Sequence, residues 1–372
     1  MLCNLCGHEN RENAKFCDAC GGALNRTVTR TGIDPELDAI RKAFEERYAV
    51  ESLLGRGGMG SVYKAREKTL DRHVALKIVP EYRRNDEPFI ERFRREARIA
   101  ARLRHPRIVS VHEVGTMGSF PYFSMDYIEG STLRTVVERR QSLPQEDAIS
   151  VVVEICRAVA HAHSKGIIHR DLKPENVMID LEGDVFVLDF GLARAVEEEG
   201  SSLTQPGAVV GTPFYMSPEQ LAGEKLDERS DVFSIGLILY YCLTGDELFR
   251  ADSIAAVMAK HARVRIRDVV AEDARLPANL KDLLASMLQE DRNMRARSVK
   301  EVLERLTLRK IVALGLAATE EQQPGVNQND TPTAFRVPTD KMDEPAQRTE
   351  DPRLAAAAER RKARLRSLLD SL

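Results

Sequence analysis

Apolar residues in this chain follow two rhythms. From Tyr48 onward the first runs are short and alternating or β-branched, as in Val62 to Ala65 and Val74 to Val79, the signature of half-buried strands. The spacing then lengthens to three and four. Phe89, Ile90, Phe93, Ala97 and Ala100 recur among charged residues and predict an amphipathic helix over Pro88–Leu103. A second helix is predicted over Gln145–His163, and a third, strongly apolar, over Asp231–Leu243. Strands early and helices late predict an α+β body with two unequal lobes, a small mostly β lobe followed by a large mostly α lobe. That body covers residues 48–308.

The flanks lack this periodicity. Residues 1–24 are dense in Cys, Asn and Gly and too short to build an apolar core, so they need an external staple. Residues 25–47 read as a linker. Residues 309–352 turn to Gln, Pro, Asn, Asp and Thr, which bury too little apolar surface to fix a fold, and read as a second linker, largely disordered. Residues 353–372 recover helical character, with Leu354, Ala358, Leu365, Leu368, Leu369 and Leu372 beside Arg353, Arg360, Arg361, Lys362, Arg364 and Arg366. Such a basic amphipathic helix could dock a partner, rest on an acidic surface or stay solvated, and the pattern does not choose among these.

Composition narrows the class only slightly. The chain has 372 residues, 43% hydrophobic, enough for a large core with appendages. With 55 basic and 58 acidic residues, the formal net charge of -3 gives no bias toward nucleic acid or membrane. No basic-then-apolar leader opens the sequence, and the longest late apolar run, Ile311–Ala318, falls far short of the roughly 20 residues that span a bilayer. A cytoplasmic location is expected. Four of the six cysteines lie in the first twenty residues, while Cys156 and Cys242 sit singly in apolar runs.

Cys3-x2-Cys6 and Cys17-x2-Cys20 form two knuckles whose thiolates can converge tetrahedrally on a structural Zn²⁺. Gly7 and Gly21 free the turn after each pair, and His8 is a bystander because four cysteines already complete the shell. In so short a segment, metal binding and folding are one event. Arg11 and Lys15 stand against Glu9, Glu12 and Asp18, so nucleic acid is disfavoured and a protein partner of the ribbon is expected.

Gly55-Arg56-Gly57-Gly58-Met59-Gly60 is a glycine-rich run whose backbone can approach phosphate oxygens without a Cβ in the way. Alone it is weak, since a flexible hairpin turn has the same composition. Order and spacing change that. Val74-Ala75-Leu76-Lys77 follows, then Glu96 in mid-helix, then His169-Arg170-Asp171-Leu172-Lys173-Pro174-Glu175-Asn176, then Asp189-Phe190-Gly191, then Ser217-Pro218-Glu219. These are the protein-kinase signature segments in their usual order.

On those motifs the sequence resembles the eukaryotic-like (Hanks-type) serine/threonine protein kinases, most closely those of bacteria, over residues 48–308. The resemblance implies a bilobal kinase fold and transfer of the γ-phosphoryl group of ATP to Ser/Thr hydroxyls of protein substrates. It implies that Gly55 to Gly60, with Ser61, cover the triphosphate, and that Leu54, Val62, Ala75 and Met178 sandwich the adenine. Met125 would line the back of the pocket, with the backbone of Asp126 and Ile128 bonding the base. Lys77 would hold the α- and β-phosphates, oriented by Glu96; Asn176 and Asp189 would ligate Mg²⁺ or Mn²⁺. Asp171 would accept the substrate hydroxyl proton, and Lys173 would contact the γ-phosphate. Lys173 and Thr212 match the Ser/Thr-directed pattern rather than the tyrosine-directed one. His169 reads as a packed residue beneath the site, Asp231 as an anchor for the catalytic loop, and Glu219 with Arg295 as a buried pair.

Arg170 before the catalytic aspartate implies an activation loop ordered by phosphate, with Ser201, Ser202 and Thr204 as acceptors and Arg194 as a second cation. Self-phosphorylation there implies a transient dimer. The acidic run Glu197-Glu198-Glu199 offers another way to order the loop. A scaffold that binds nucleotide without transferring phosphate would have lost Lys77, Asp171, Asn176 or Asp189, and all four are present.

Overall fold

The computed structural model describes residues 35–190, 213–251 and 253–313. In the small lobe, β1 (Tyr48–Gly57), β2 (Gly60–Glu67), β3 (Arg72–Ile78), β4 (Val111–Met117) and β5 (Phe120–Asp126) form an antiparallel sheet in the order β1-β2-β3-β5-β4. Strand alternation gives the sheet two apolar faces. Along β3 and the residue after it, Val74, Leu76 and Ile78 enter one cluster, and Ala75 and Val79 enter the other. Lys77 therefore shares the face of Ala75 and Val79.

Helix α2 (Glu87–Ala100) covers that second face. It starts where Asp86 accepts a bond from the Phe89 amide at 3.1 Å, with Pro88 in the first turn. Phe89, Phe93 and Ala97 are buried against the sheet, and Glu96 lies on the same buried side.

The first face is covered by a helix where the sequence reading placed a linker. Helix α1 (Pro35–Phe44) occupies part of residues 25–47, and that assignment is corrected. Ile40 and Phe44 are fully buried, with the Phe44 ring 4.9 Å from Tyr122 and 6.2 Å from Tyr48. Arg41 donates to the carbonyls of Val50 and Glu51 at 3.1 and 2.8 Å. Only Leu37, Ile40, Ala43 and Phe44 carry the apolar stripe among several charges, so the pattern is faint in sequence.

The large lobe contains β6 (Gly130–Thr132), α3 (Leu133–Arg140), α4 (Gln145–Ser164), β7 (Val177–Asp180), β8 (Val185–Val187), α5 (Pro218–Leu221) and α6 (Arg229–Thr244). It continues with α7 (Ile254–Arg263), α8 (Ile266–Glu272), α9 (Ala278–Met287) and α10 (Val299–Ala313). Helices α4 and α6 are its centre, buried along nearly their whole length. Cys156 and Cys242 lie there as buried free thiols. The strands β6-β7-β8 form a small sheet beneath the cleft. Gly130 is required there, since a Cβ on it would sit 2.0 Å from the Ile179 carbonyl oxygen. Helix α10 runs past residue 308 into the stretch read as the second linker, extending the folded body to Ala313. Among the described residues no helix is long and apolar enough to cross a membrane.

Candidate active site

Lys77 lies across from Val62 on β2 and Phe123 on β5. Its Nζ is 2.9 Å from Asp189 Oδ1 and 3.6 Å from Glu96 Oε1, and the side chain is 5% exposed. Burial alone would lower the Lys77 pKa, but the charges of Asp189 and then Glu96 outweigh it and push it up to about 12. Burial also raises the Glu96 carboxyl, to about 8, against the pull of Lys77. The two shifts pull apart: Lys77 needs an anion beside it, and Glu96 resists being one. Asp189 is the nearer carboxylate, so it is the principal counter-charge and Lys77 the fixed cation.

The catalytic-loop backbone hangs from one buried carboxylate. Asp231, in the first turn of α6, accepts from the amides of His169 at 2.8 Å and Arg170 at 2.9 Å, and pairs with His163 Nε2 at 2.6 Å. Burial would raise its pKa, yet these partners, His163 foremost, hold it below the ordinary carboxylate range. The His169 ring is fully buried, 4.5 Å from Phe190. Its Nε2 lies 2.9 Å from the Leu188 carbonyl oxygen, and its Nδ1 lies 3.3 Å from the Asp171 amide. Burial lowers its pKa, and a neutral ring protonated on Nε2 satisfies both contacts. Arg170 and Asp189 adopt left-handed backbone angles, with φ of 70° and 56°. Such strain costs on the order of 1–3 kcal/mol per residue and persists where the surroundings fix it.

Asp171 is held from two sides. Lys173 Nζ lies 2.7 Å from Asp171 Oδ2, and Asn176 Nδ2 donates to the same oxygen at 3.1 Å and to the Asp171 carbonyl at 2.8 Å. With its nitrogen used on Asp171, Asn176 has its amide oxygen to offer a cation. The Leu188 amide donates to the Asn176 carbonyl at 2.9 Å, tying this loop to the segment that carries Asp189. Among the described residues there is no cluster of three or more His, Cys, Asp or Glu side chains suited to a metal. Asn176 and Asp189 would supply hard oxygens only, a donor set that would suit a small divalent cation.

Above these groups, Gly57 faces Gly60 and Arg56 faces Ser61 across the β1–β2 hairpin, with Gly58 and Met59 at its turn. A Cβ at Gly60 would meet the Ile78 carbonyl oxygen at 2.8 Å. Of the predicted adenine contacts, Ala75, Met125, Val62 and Ile128 belong to one apolar cluster. Leu54 is 47% exposed, and Met178 lies on β7 opposite Phe186. The Asp126 amide donates to the Ser110 carbonyl, and its carboxylate accepts from the Ser110 amide and pairs with His112 at 3.0 Å. The Asp126 amide and carboxylate are thus both engaged within the lobe.

The predicted buried pair is also present. Arg295 bonds both oxygens of Glu219, at 2.7 and 3.0 Å, and Ser230 adds a third bond. Residues that the sequence reading missed include Phe123, whose ring lies 5.6 Å from Lys77 Nζ, and His163. Gln220, which donates to the Arg170 carbonyl at 2.6 Å, was missed as well. Strand alternation with Met125 on β5 is the signal that could have found Phe123; nothing local marks the other two. Gly191, Arg194, Ser201, Ser202, Thr204, Thr212, the four N-terminal cysteines and the 353–372 segment lie outside the described residues.

The profile of the protein kinase domain matches residues 48–306. The chain belongs to the protein kinase family. A zinc-ribbon domain profile matches residues 2–24 of the same chain. Over 248 residues the kinase is 43% identical to serine/threonine-protein kinase PknB of Mycobacterium tuberculosis, covering 66% of this chain and 39% of that protein. It is 37% identical over 264 residues to a probable serine/threonine-protein kinase of Clostridium perfringens, covering 71% and 38%. A probable PknB of Lactococcus lactis is 38% identical over 265 residues, covering 71% and 42%. The chain thus spans about two-fifths of the length of these curated relatives.

Proposed function

We propose that this protein is an active serine/threonine protein kinase that transfers the γ-phosphoryl group of ATP to Ser/Thr hydroxyls of proteins in the cytoplasm. The observation that carries the reading is the convergence of Lys77, Glu96 and Asp189 within 3.6 Å, beside the Asp171–Lys173–Asn176 cluster. A loose phosphoryl-transfer transition state asks for positioning and charge compensation more than covalent chemistry. Lys77 and Lys173 supply two cations at a buried floor. Asp171, held by Lys173 and Asn176, would take the proton from an incoming hydroxyl. Asn176 and Asp189 are the residues that would hold Mg²⁺ or Mn²⁺, which when bound supplies charge neutralisation for the phosphates.

The activation loop is proposed to be self-phosphorylated at Ser201, Ser202 or Thr204 through a transient dimer, with Arg170 pairing the new phosphate. The ribbon is proposed to bind one structural Zn²⁺ through Cys3, Cys6, Cys17 and Cys20 and to dock a protein.

Purified protein given magnesium and labelled ATP should label itself and a generic Ser/Thr acceptor. Asp171→Asn should lower the rate by roughly 10²–10⁴-fold while the protein still binds nucleotide. Equal labelling by wild type and Asp171→Asn would refute the assignment.

A further inference from the structure

Helix α1 touches the nucleotide-binding loop through the carboxylate of Glu36. Glu36, one residue into the helix, has a side chain only 8% exposed. One oxygen lies 3.0 Å from Arg84 Nη2, and the other lies 3.3 Å from Arg56 Nη1. The two arginines differ in how they are fixed. Arg84, which ends the short 3-10 turn Glu81–Arg83 after β3, donates to the Val79 carbonyl at 3.3 Å and stacks its guanidinium over Phe120 at 4.2 Å, so its side chain is tied to the sheet. Arg56 stands inside the glycine-rich loop. A Cβ at Gly55 would meet nothing within 4 Å, and one at Gly57 would meet only the Gly60 carbonyl. Leu54, Gly55 and Gly57 are exposed, whereas the Arg56 side chain is 18% exposed. Met59 packs on the apolar cluster and Gly60 is buried, so it is the Leu54–Gly57 half of the loop that has little packing of its own, and Arg56 ties that half to the body of the lobe.

We infer that Glu36 is a positioning residue for the phosphate-covering loop: it bridges the fixed Arg84 to Arg56 and holds the loop backbone at the height a triphosphate needs. The inference rests on the kinase reading above. Its physical basis is pre-organisation, because a loop held in its ligand-bound height loses less freedom when nucleotide binds. The pair is shielded from water, so its attraction is stronger than that of a surface ion pair. Glu36 touches no reacting atom, so its loss should appear in nucleotide affinity and not in the rate of the chemical step.

The test is a double-mutant cycle in the full-length protein, reading KM for ATP, kcat, direct binding of Mg-ATP to the Asp171→Asn form, and the melting temperature. Glu36→Gln should raise KM and the dissociation constant by about fivefold, with kcat within about twofold of wild type, and Arg56→Gln should raise the same two constants by a like amount. The double variant should be no worse than either single change, since both break one link. Arg41→Gln removes the bonds from α1 to the β1 carbonyls but none to the loop; it should lower the melting temperature and leave KM in place. Should Glu36→Gln not fold, Arg56→Lys against Arg56→Gln keeps the question open to refutation: the lysine should retain most of the affinity and the glutamine should not. Unchanged KM in Glu36→Gln, additive effects in the double variant, or equal loss in Arg56→Lys and Arg56→Gln each overturn the inference while leaving the kinase assignment standing. Wild-type protein that binds no Mg-ATP overturns both.

Discussion

At the scale of single residues, carboxylates in this protein divide by what burial does to them. Glu219 is buried, yet two bonds from Arg295 and one from Ser230 outweigh desolvation and lower its pKa to about 2. A carboxylate whose folded pKa is depressed contributes stability above its unfolded value, and that contribution is lost as pH falls toward the folded one. Acid titration should therefore erode stability between about pH 4.5 and pH 2, and Glu219→Gln should flatten that part of the profile. At neutral pH the same change should cost about 3–5 kcal/mol, read by urea unfolding, because Arg295 is left buried without its counter-charge. Glu96 behaves in the opposite way: burial raises its carboxyl against the pull of Lys77. Sequence order paired Glu96 with Lys77 and Glu219 with Arg295, and the structure holds both pairs. The order did not show that Asp189 stands closer to Lys77 than Glu96 does, because that depends on how the two lobes meet.

At the scale of elements, legibility followed the strength of the apolar repeat. The helices expected over Pro88–Leu103, Gln145–His163 and Asp231–Leu243 appear as Glu87–Ala100, Gln145–Ser164 and Arg229–Thr244, with ends displaced by a few residues. Their stripes are long, and capping residues such as Asp86 sharpen their starts. Helix α1 escaped because a ten-residue helix shows only two or three turns of its stripe. Strands β6 to β8 escaped because runs of three or four residues carry too little alternation to read. Helix ends also carry sharp constraints. Gly245 closes α6 with φ of 76°, and a Cβ there would lie 1.7 Å from the Gln141 carbonyl oxygen. Gly245→Ala should destabilise the large lobe by more than about 1 kcal/mol, since both the angle and the space are wrong for a side chain. Thermal melting compared with an alanine at the open Gly55 separates the two cases.

At the scale of the whole molecule, two family matches sit on one chain, a zinc-ribbon domain over 2–24 and a kinase domain over 48–306. If the ribbon is held by metal alone, chelation should release about one Zn²⁺ per chain, counted with a chromogenic chelator, and leave the main melting transition of the kinase unchanged. Cys3→Ser should abolish the zinc signal with the same lack of effect on that transition. The seat of α1 bears on where the kinase can be cut. A fragment begun at Tyr48, where the family match starts, would strip Ile40 and Phe44 from the sheet and leave Tyr48, Phe120 and Tyr122 facing water. Such a bare aromatic surface invites self-association, so fragments opening at residue 48 should precipitate during purification, and those opening at residue 35 should remain in solution.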